Sequence, residues 1–326
     1  MVRYGPFRAL QYRFAVEGAD HPVIRAIVDA MVDLRDRDGS EALCVLTIEP
    51  SRPADLWRFR FDAESASEGF DSKYVVGAVL REVSVRAVRS IGDIVTLHAA
   101  ALARDGRAIV FAGRSHAGKT TIAASLMLAG WHYLSDDVAP LVPTELRQLL
   151  AGRDAASADP PASAIDLSVT VIGFPRPLSL RPGSTRLLAD HIEPWNGPGD
   201  EPAERYVAAS RFGTIVAQAR LSAFVVIDPE AATPTEGWPL ERLSPGRALL
   251  ELARCTHGDT PLDRHRLQAL AGIGPLVPTF RVGRPDPRHA DQLARSVLAA
   301  SVGVEPAATE EGWAGDGHTD PCPTGH

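Results

Sequence analysis

The sequence predicts an α/β protein: a P-loop core preceded by a smaller N-terminal α+β segment. Three observations carry that prediction. From Val95 onward, short apolar runs alternate with loops and helix-period segments, the texture of an α/β domain. At 113–120 a glycine-rich loop pattern stands between one such run and a helix. Before residue 95, strand-like and helix-like segments mix without any motif of their own. The expected division is therefore 1–94 for the N-terminal segment and 95–302 for the P-loop domain. A disordered tail is expected over 303–326, where Pro, Gly, Glu and Asp leave almost no apolar pattern.

Taken in order, the apolar and β-branched runs Leu43–Ile48 and Leu56–Phe61 predict strands. Across His21–Leu34, apolar residues at 23, 24, 27, 28, 31 and 32 mark one helical face. A second helix is predicted over Tyr74–Ile94, through Val75, Val79, Val83 and Val88. In the core, Val95–Leu102, Ala108–Ala112 and His132–Leu134 are expected strands, and Ala123–Leu128 lies in a helix between the last two. The Ala-, Ser-, Asp- and Pro-rich stretch 152–164 is an expected loop. Val169–Phe174, Ala223–Ile227 and Phe280–Val282 follow as strands, with helices at Gly246–Thr256 and Ala290–Ala300.

Composition narrows the function classes. Hydrophobic residues make up 45% and charged residues 23% of the 326, ordinary for a globular chain with a sizeable core. No run approaches the ~18 apolar residues that span a bilayer, and the charged start MVRYGPFRALQYRF does not resemble a secretory signal. Cys44, Cys255 and Cys322 are far apart, without metal-site or disulfide spacing. These features lead to the expectation of a cytoplasmic protein with reduced thiols and no membrane partner. The net charge of −7 argues against a nucleic-acid surface.

The segment Gly113-Arg114-Ser115-His116-Ala117-Gly118-Lys119-Thr120 fits G-x-x-x-x-G-K-[ST] at each fixed position, with Thr121 beside it. An apolar strand (AIVFA) leads into it and a helix leads out. Successive N–H groups in such a loop form an anion nest, and the helix N-terminus adds partial positive charge. Lys119 is the expected partner of the β- and γ-phosphates of ATP, and the Thr120 hydroxyl an expected Mg²⁺ ligand.

Seventeen residues after Lys119, "WHYLSDDV" ends an apolar strand in Asp136 and Asp137. Ligands of α/β sheets gather at the carboxyl ends of strands, so the pair should adjoin the loop. One carboxylate there holds Mg²⁺; a second can accept the proton of an attacking hydroxyl. Alternatively, one aspartate ligates metal and the other caps a turn. His98, in "VTLHAAAL", is either a core histidine or a third member of the site.

Histidine in a strand, then the loop, then Gly130-Trp-His-Tyr-Leu-Ser-Asp136-Asp137-Val138 resembles the catalytic domain of bacterial HPr serine kinase/phosphorylase. It is also similar to the shorter HPr-kinase-like proteins of peptide-modification gene clusters, including those for lasso peptides. The resemblance spans His98 to Val142 and extends only loosely beyond. It implies a P-loop kinase related to phosphoenolpyruvate carboxykinase, with Asp136 as the base toward a serine hydroxyl. Asp137 and His98 would support phosphates, metal and base, so the implied metal set is Thr120 and Asp137. The family's tendency to oligomerise implies a homo-oligomer.

The sequence departs from the family pattern at His116, where glycine is usual, and at Thr120-Thr121, where Ser-Glu is usual. It also lacks the C-terminal signature that accompanies phosphorylase activity. The acceptor is therefore expected to be a peptide or small-molecule hydroxyl rather than HPr. In "GFPRPLSLRPGSTR", Arg176 and Arg181 are candidates to stabilise charge on a migrating phosphoryl group, with surface charge as the alternative. Two other functions stay open at this point: a nucleotide sensor with little turnover, and a P-loop NTPase.

Overall fold

The computed structural model describes residues 1–302 except 40, 53–55, 93, 144–167, 195–202, 231–238 and 257–262. The expected loop at 152–164, Cys322 and the expected tail lie outside the described residues. Within them the chain is mixed α/β, with three sheets and seven α-helices.

The N-terminal lobe is a five-stranded sheet in sequential order: β1 Val2–Ala9, β2 Tyr12–Gly18, β3 Cys44–Pro50, β4 Leu56–Phe61 and β5 Ser67–Asp71. Only β2 and β3 pair in parallel, and α1 (Pro22–Ala30) makes that crossover. His21 caps α1 by accepting from the Val23 N–H, and Pro22 fits the first turn, where no amide hydrogen is needed. The predicted helix His21–Leu34 thus ends earlier, its last residues forming a 3₁₀ turn. Helix α2 (Ser72–Ser90) starts where the Asp71 carboxylate accepts from the Lys73 N–H at 2.8 Å. It stops short of the predicted Ile94. Val75, Val79, Leu80, Val83 and Val88 bury one face of α2 in an aromatic core with Phe7, Phe14, Trp57 and Phe59. Val138 and Phe174, from beyond residue 95, are buried in the same core, so the two lobes share an interior.

The second lobe centres on nine strands. Their main order is β6 (Val95–Leu97), β10 (Ala139–Pro143), β11 (Val169–Ile172), β14 (Gln218–Ile227), β8 (Arg107–Gly113), β7 (Ala99–Arg104) and β9 (His132–Ser135). Strand β16 (Thr279–Val282) joins β14, and β15 (Glu241–Arg242) joins β16. Among the described strands of this sheet, only β14–β8 and β14–β16 pair in parallel. The expected single strand over Val95–Leu102 is corrected here. The chain breaks at His98, because β6 pairs with β10 whereas β7 pairs with β8 and β9.

Alternation assigns the two faces. Ile109 and Phe111 of β8 pack with α3 (Lys119–Leu128) and the C-terminal helix Ala290–Ser301. Ala108, Val110 and Ala112 point the other way, toward helices Pro245–Arg254 and Arg264–Ile273. Because β7 runs antiparallel to both β8 and β9, the ends of β8 and β9 meet the start of β7 at one sheet edge. That edge gathers the loop after Gly113, the aspartates after Ser135 and His98. A small pair, β12 (Leu178–Leu180) with β13 (Arg205–Val207), and the short helix α4 (Pro182–Leu187) complete the surroundings.

Candidate functional site

The glycine-rich loop turns from β8 into α3. Gly113 must be glycine, since a Cβ there would lie 2.9 Å from the Ile227 carbonyl oxygen. Gly118 stands at φ 95, a left-handed position at the N-cap of α3 that glycine adopts without strain. His116 takes the left-handed region at φ 69, uncommon for a residue with a Cβ. Lys119 is buried, and its Nζ donates to the carbonyls of Gly113 at 2.8 Å and Arg114 at 3.1 Å. Burial pushes its ammonium below the ordinary range, opposed by Asp136 and then Asp137.

The two aspartates have different surroundings. Asp136 is 3% exposed; its Oδ2 accepts from the Thr120 hydroxyl at 2.8 Å, while its buried Oδ1 has no partner. Burial, then the neighbouring Asp137, raises its pKa. Asp137 sits in the left-handed region at φ 73, in the tight turn between β9 and β10. Its Oδ1 is 2.6 Å from His98 Nδ1, and its Oδ2 accepts from Arg176. Burial would raise this carboxyl, but the Arg176 guanidinium, with His98 behind it, more than offsets that and holds it well below the usual carboxylate range.

Arg176 is itself fixed. The Tyr133 hydroxyl donates to its carbonyl at 2.9 Å, and its buried Nε has no partner. Arg181 contacts His116 of the loop and donates from Nε to Glu204 at 2.9 Å. Tyr206 donates to the same Glu204 at 2.9 Å. Thr121 shares a 2.7 Å hydroxyl contact with Ser184 of α4.

These groups line one cavity of about 1540 Å³. It takes in His98, Ser115, His116, Gly118, Lys119, Thr120, Thr121, Asp136, Asp137, Arg176 and Arg181, bringing most of the sequence-predicted residues together. Gly113, Arg114 and Ala117 do not line it: Ala117 is in the core, and Arg114 faces Glu230 at the surface. Sequence reasoning missed Ser184, Glu204, Tyr206, Arg284 and the α2 wall of Lys73, Tyr74, Gly77 and Arg81. For α2 a signal existed, a polar stripe opposite the valines; for Glu204 and Tyr206 none did, since only the β12–β13 pairing brings them in.

Among the described residues no cluster of three His, Cys, Asp or Glu side chains could hold a metal by itself. The donors that fit one are the Thr120 hydroxyl and the partnerless Oδ1 of Asp136. Cys44 and Cys255 are buried free thiols, and no described helix is long and apolar enough to cross a membrane.

No protein-family model matches the sequence, and no curated protein matches it. Among solved structures the chain is similar to the HPr(Ser) kinase/phosphatase from Coxiella burnetii, at 13% identity and a TM-score of 0.28. The likeness covers 64% of this chain and 95% of that one.

Proposed function

We propose that this protein is an ATP- and Mg²⁺-dependent phosphotransferase acting on a hydroxyl of a peptide or small molecule. The supporting observation is the meeting, in one cavity, of a Lys119–Thr120 phosphate loop, a buried carboxylate with a spare oxygen and a second, accessible carboxylate held from two sides.

The geometry favours exchanging the aspartate roles that the family pattern implied. Asp136 is too enclosed to meet an acceptor, and its bond to Thr120 suits it to the metal. Bound with the nucleotide, Mg²⁺ would neutralise charge on the phosphate oxygens. Asp137 has 40% of its side chain exposed and both oxygens oriented by His98 and Arg176, so it is the better base. It is ionised at neutral pH, ready to orient the acceptor hydroxyl and take its proton as the acceptor oxygen bonds to the γ-phosphorus and ADP leaves. With a loose transition state, orientation matters more than basicity, which suits a carboxylate of low pKa.

The test uses full-length protein, MgCl₂, γ-labelled ATP and a panel of peptides and small hydroxyl compounds, with products read by mass spectrometry. Phosphorylated acceptor that disappears with Asp137→Asn while ATP binding persists supports the reading. ATP hydrolysed without transfer to any acceptor points to an NTPase instead.

A further inference from the structure

We propose that the acceptor is an acidic peptide segment lying along α2, with its hydroxyl offered to Asp137; this rests on the phosphotransferase reading above. Among the described residues, the N-terminal lobe reaches the cavity only through this helix. Lys73, Tyr74, Gly77, Ala78, Arg81 and Ser84 recur at helical spacing along its cavity side, while the valines face the core. From Lys73 to Ser84 that stripe is about 16 Å long, room for some five residues of extended chain at about 3.3 Å each.

Charge identifies the ligand's sign. Among the described residues, six lysines and arginines line the cavity against three aspartates and glutamates, in a chain whose net charge is −7. A nucleotide does not account for all six. Lys119 belongs to the phosphate loop, Arg181 touches that loop, and Arg176 is paired with Asp137. Lys73 and Arg81 lie on the other lobe, where they already engage partners within the protein. Two cations two turns apart beside an open cavity present a positive rail to an incoming chain.

Size and shape favour a peptide over a small anion. A volume of about 1540 Å³ exceeds the 300–1,000 Å³ usual for one small ligand, leaving space beside a nucleotide. Tyr74 lies in this wall with 65% of its surface exposed, a rigid aromatic group of the kind that anchors peptide side chains. The stripe is also tied to the phosphate loop. Tyr206 lies so close to Gly77 that a Cβ there would be 2.4 Å from its hydroxyl oxygen. Tyr206, Glu204, Arg181 and His116 then form a continuous line of contacts to the loop. A peptide held on α2 is thereby kept at a fixed distance from the phosphates.

The experiment measures transfer by the full-length protein from MgATP to equal-length peptides, each with one serine flanked by acidic, neutral or basic residues. Free serine is the small-molecule arm, and ATP affinity is followed separately by calorimetry. Acidic peptides are expected to show a KM roughly tenfold below neutral ones, with the gap narrowing as salt is raised. The pair Lys73→Glu/Arg81→Glu should invert the order between acidic and basic peptides. The milder pair Lys73→Gln/Arg81→Gln should flatten it, with circular dichroism confirming folding. Tyr74→Ala should raise KM for every peptide. Equal KM across the panel, better transfer to free serine, or α2 variants that leave the order intact would overturn the inference while leaving the phosphotransferase. Absence of ATP binding in the wild type would overturn both.

Discussion

The five-stranded lobe fills its interior with Phe7, Phe14, Ile27, Trp57 and Phe59, and none of its described Lys, Arg, Asp or Glu residues is buried; the nine-stranded lobe buries Lys119 and Asp136. Desolvating a charge is costly unless partners compensate, so a fold under no other demand leaves each charged side chain at least partly exposed, as the first lobe does among its described residues. The second lobe accepts that cost at a single sheet edge. There Asp136 keeps an oxygen without a partner and Lys119 is held by carbonyls of its own loop. The contrast separates a lobe organised by apolar packing from one that gathers buried charge at the edge where the glycine-rich loop turns.

The largest effects should follow from removing the charges. Lys119→Ala should abolish detectable ATP binding and transfer. Asp137→Asn should lower the transfer rate by about 10²–10⁴-fold with ATP affinity kept, the range for losing a positioned proton acceptor. Rates and calorimetry on the two variants check both statements. A Lys119→Ala protein that binds ATP normally would break the contrast at its centre.

Next comes a test of how separate the lobes are. Phe174 is fully buried in the N-terminal core although it follows β11 of the larger sheet. Phe174→Ala should destabilise the whole chain by about 3–5 kcal/mol, read by denaturant unfolding. One transition moving as a unit is expected; two transitions, with only one displaced, would mean that the lobes fold independently.

The aspartates should then respond to pH in opposite senses. The pKa of Asp136 is raised, so the folded chain holds that proton more tightly than the unfolded one. Stability therefore falls as pH rises from the unfolded value of about 3.9 through the raised one, and stays lowered above it. Asp136→Asn removes this penalty and should be more stable than wild type at neutral pH. The pKa of Asp137 is lowered, so its contribution is present above about pH 4 and is lost as pH falls further. Asp137→Asn should cost about 2 kcal/mol at pH 7, allowing for its partial exposure, with the deficit shrinking in acid. Thermal melts from pH 3 to 8 distinguish the two; parallel curves would mean that the aspartates are electrostatically equivalent.

How much of this could be read in advance follows the same division. The loop and the aspartates were legible because each lies in a short local pattern, and the strands bearing them bury alternate residues on both faces. The break at His98 is not legible in the sequence, since the switch of partners from β10 to β8 is a tertiary event. Strands β1 and β2 went unread: Arg3, Arg8 and Arg13 interrupt them, and Gly5-Pro6 falls where the β1–β2 register shifts. The antiparallel character of the larger sheet was likewise hidden, because hydrophobic runs reveal burial but not direction. The α2 wall shows in the sequence only as a polar stripe opposite the valines, and such a stripe does not tell a solvated face from one that the fold turns toward a cavity.

The smallest expected change probes the seam between the lobes. Gly77 lies inside α2, where replacement by alanine ordinarily stabilises by about 1 kcal/mol. Here the new Cβ would fall 2.4 Å from the Tyr206 hydroxyl oxygen, at the far end of a side chain that can swing aside. Moving it breaks the bond to Glu204, a loss of about 1 kcal/mol, so Gly77→Ala should leave the melting temperature nearly unchanged. Transfer should nevertheless slow several-fold, to roughly the rate of Tyr206→Phe, which removes the same bond without a clash. If Gly77→Ala instead stabilises by the full helix-propensity increment with transfer intact, then Tyr206 merely fills space. In that case α2 adjoins the site without being held in register with the phosphate loop.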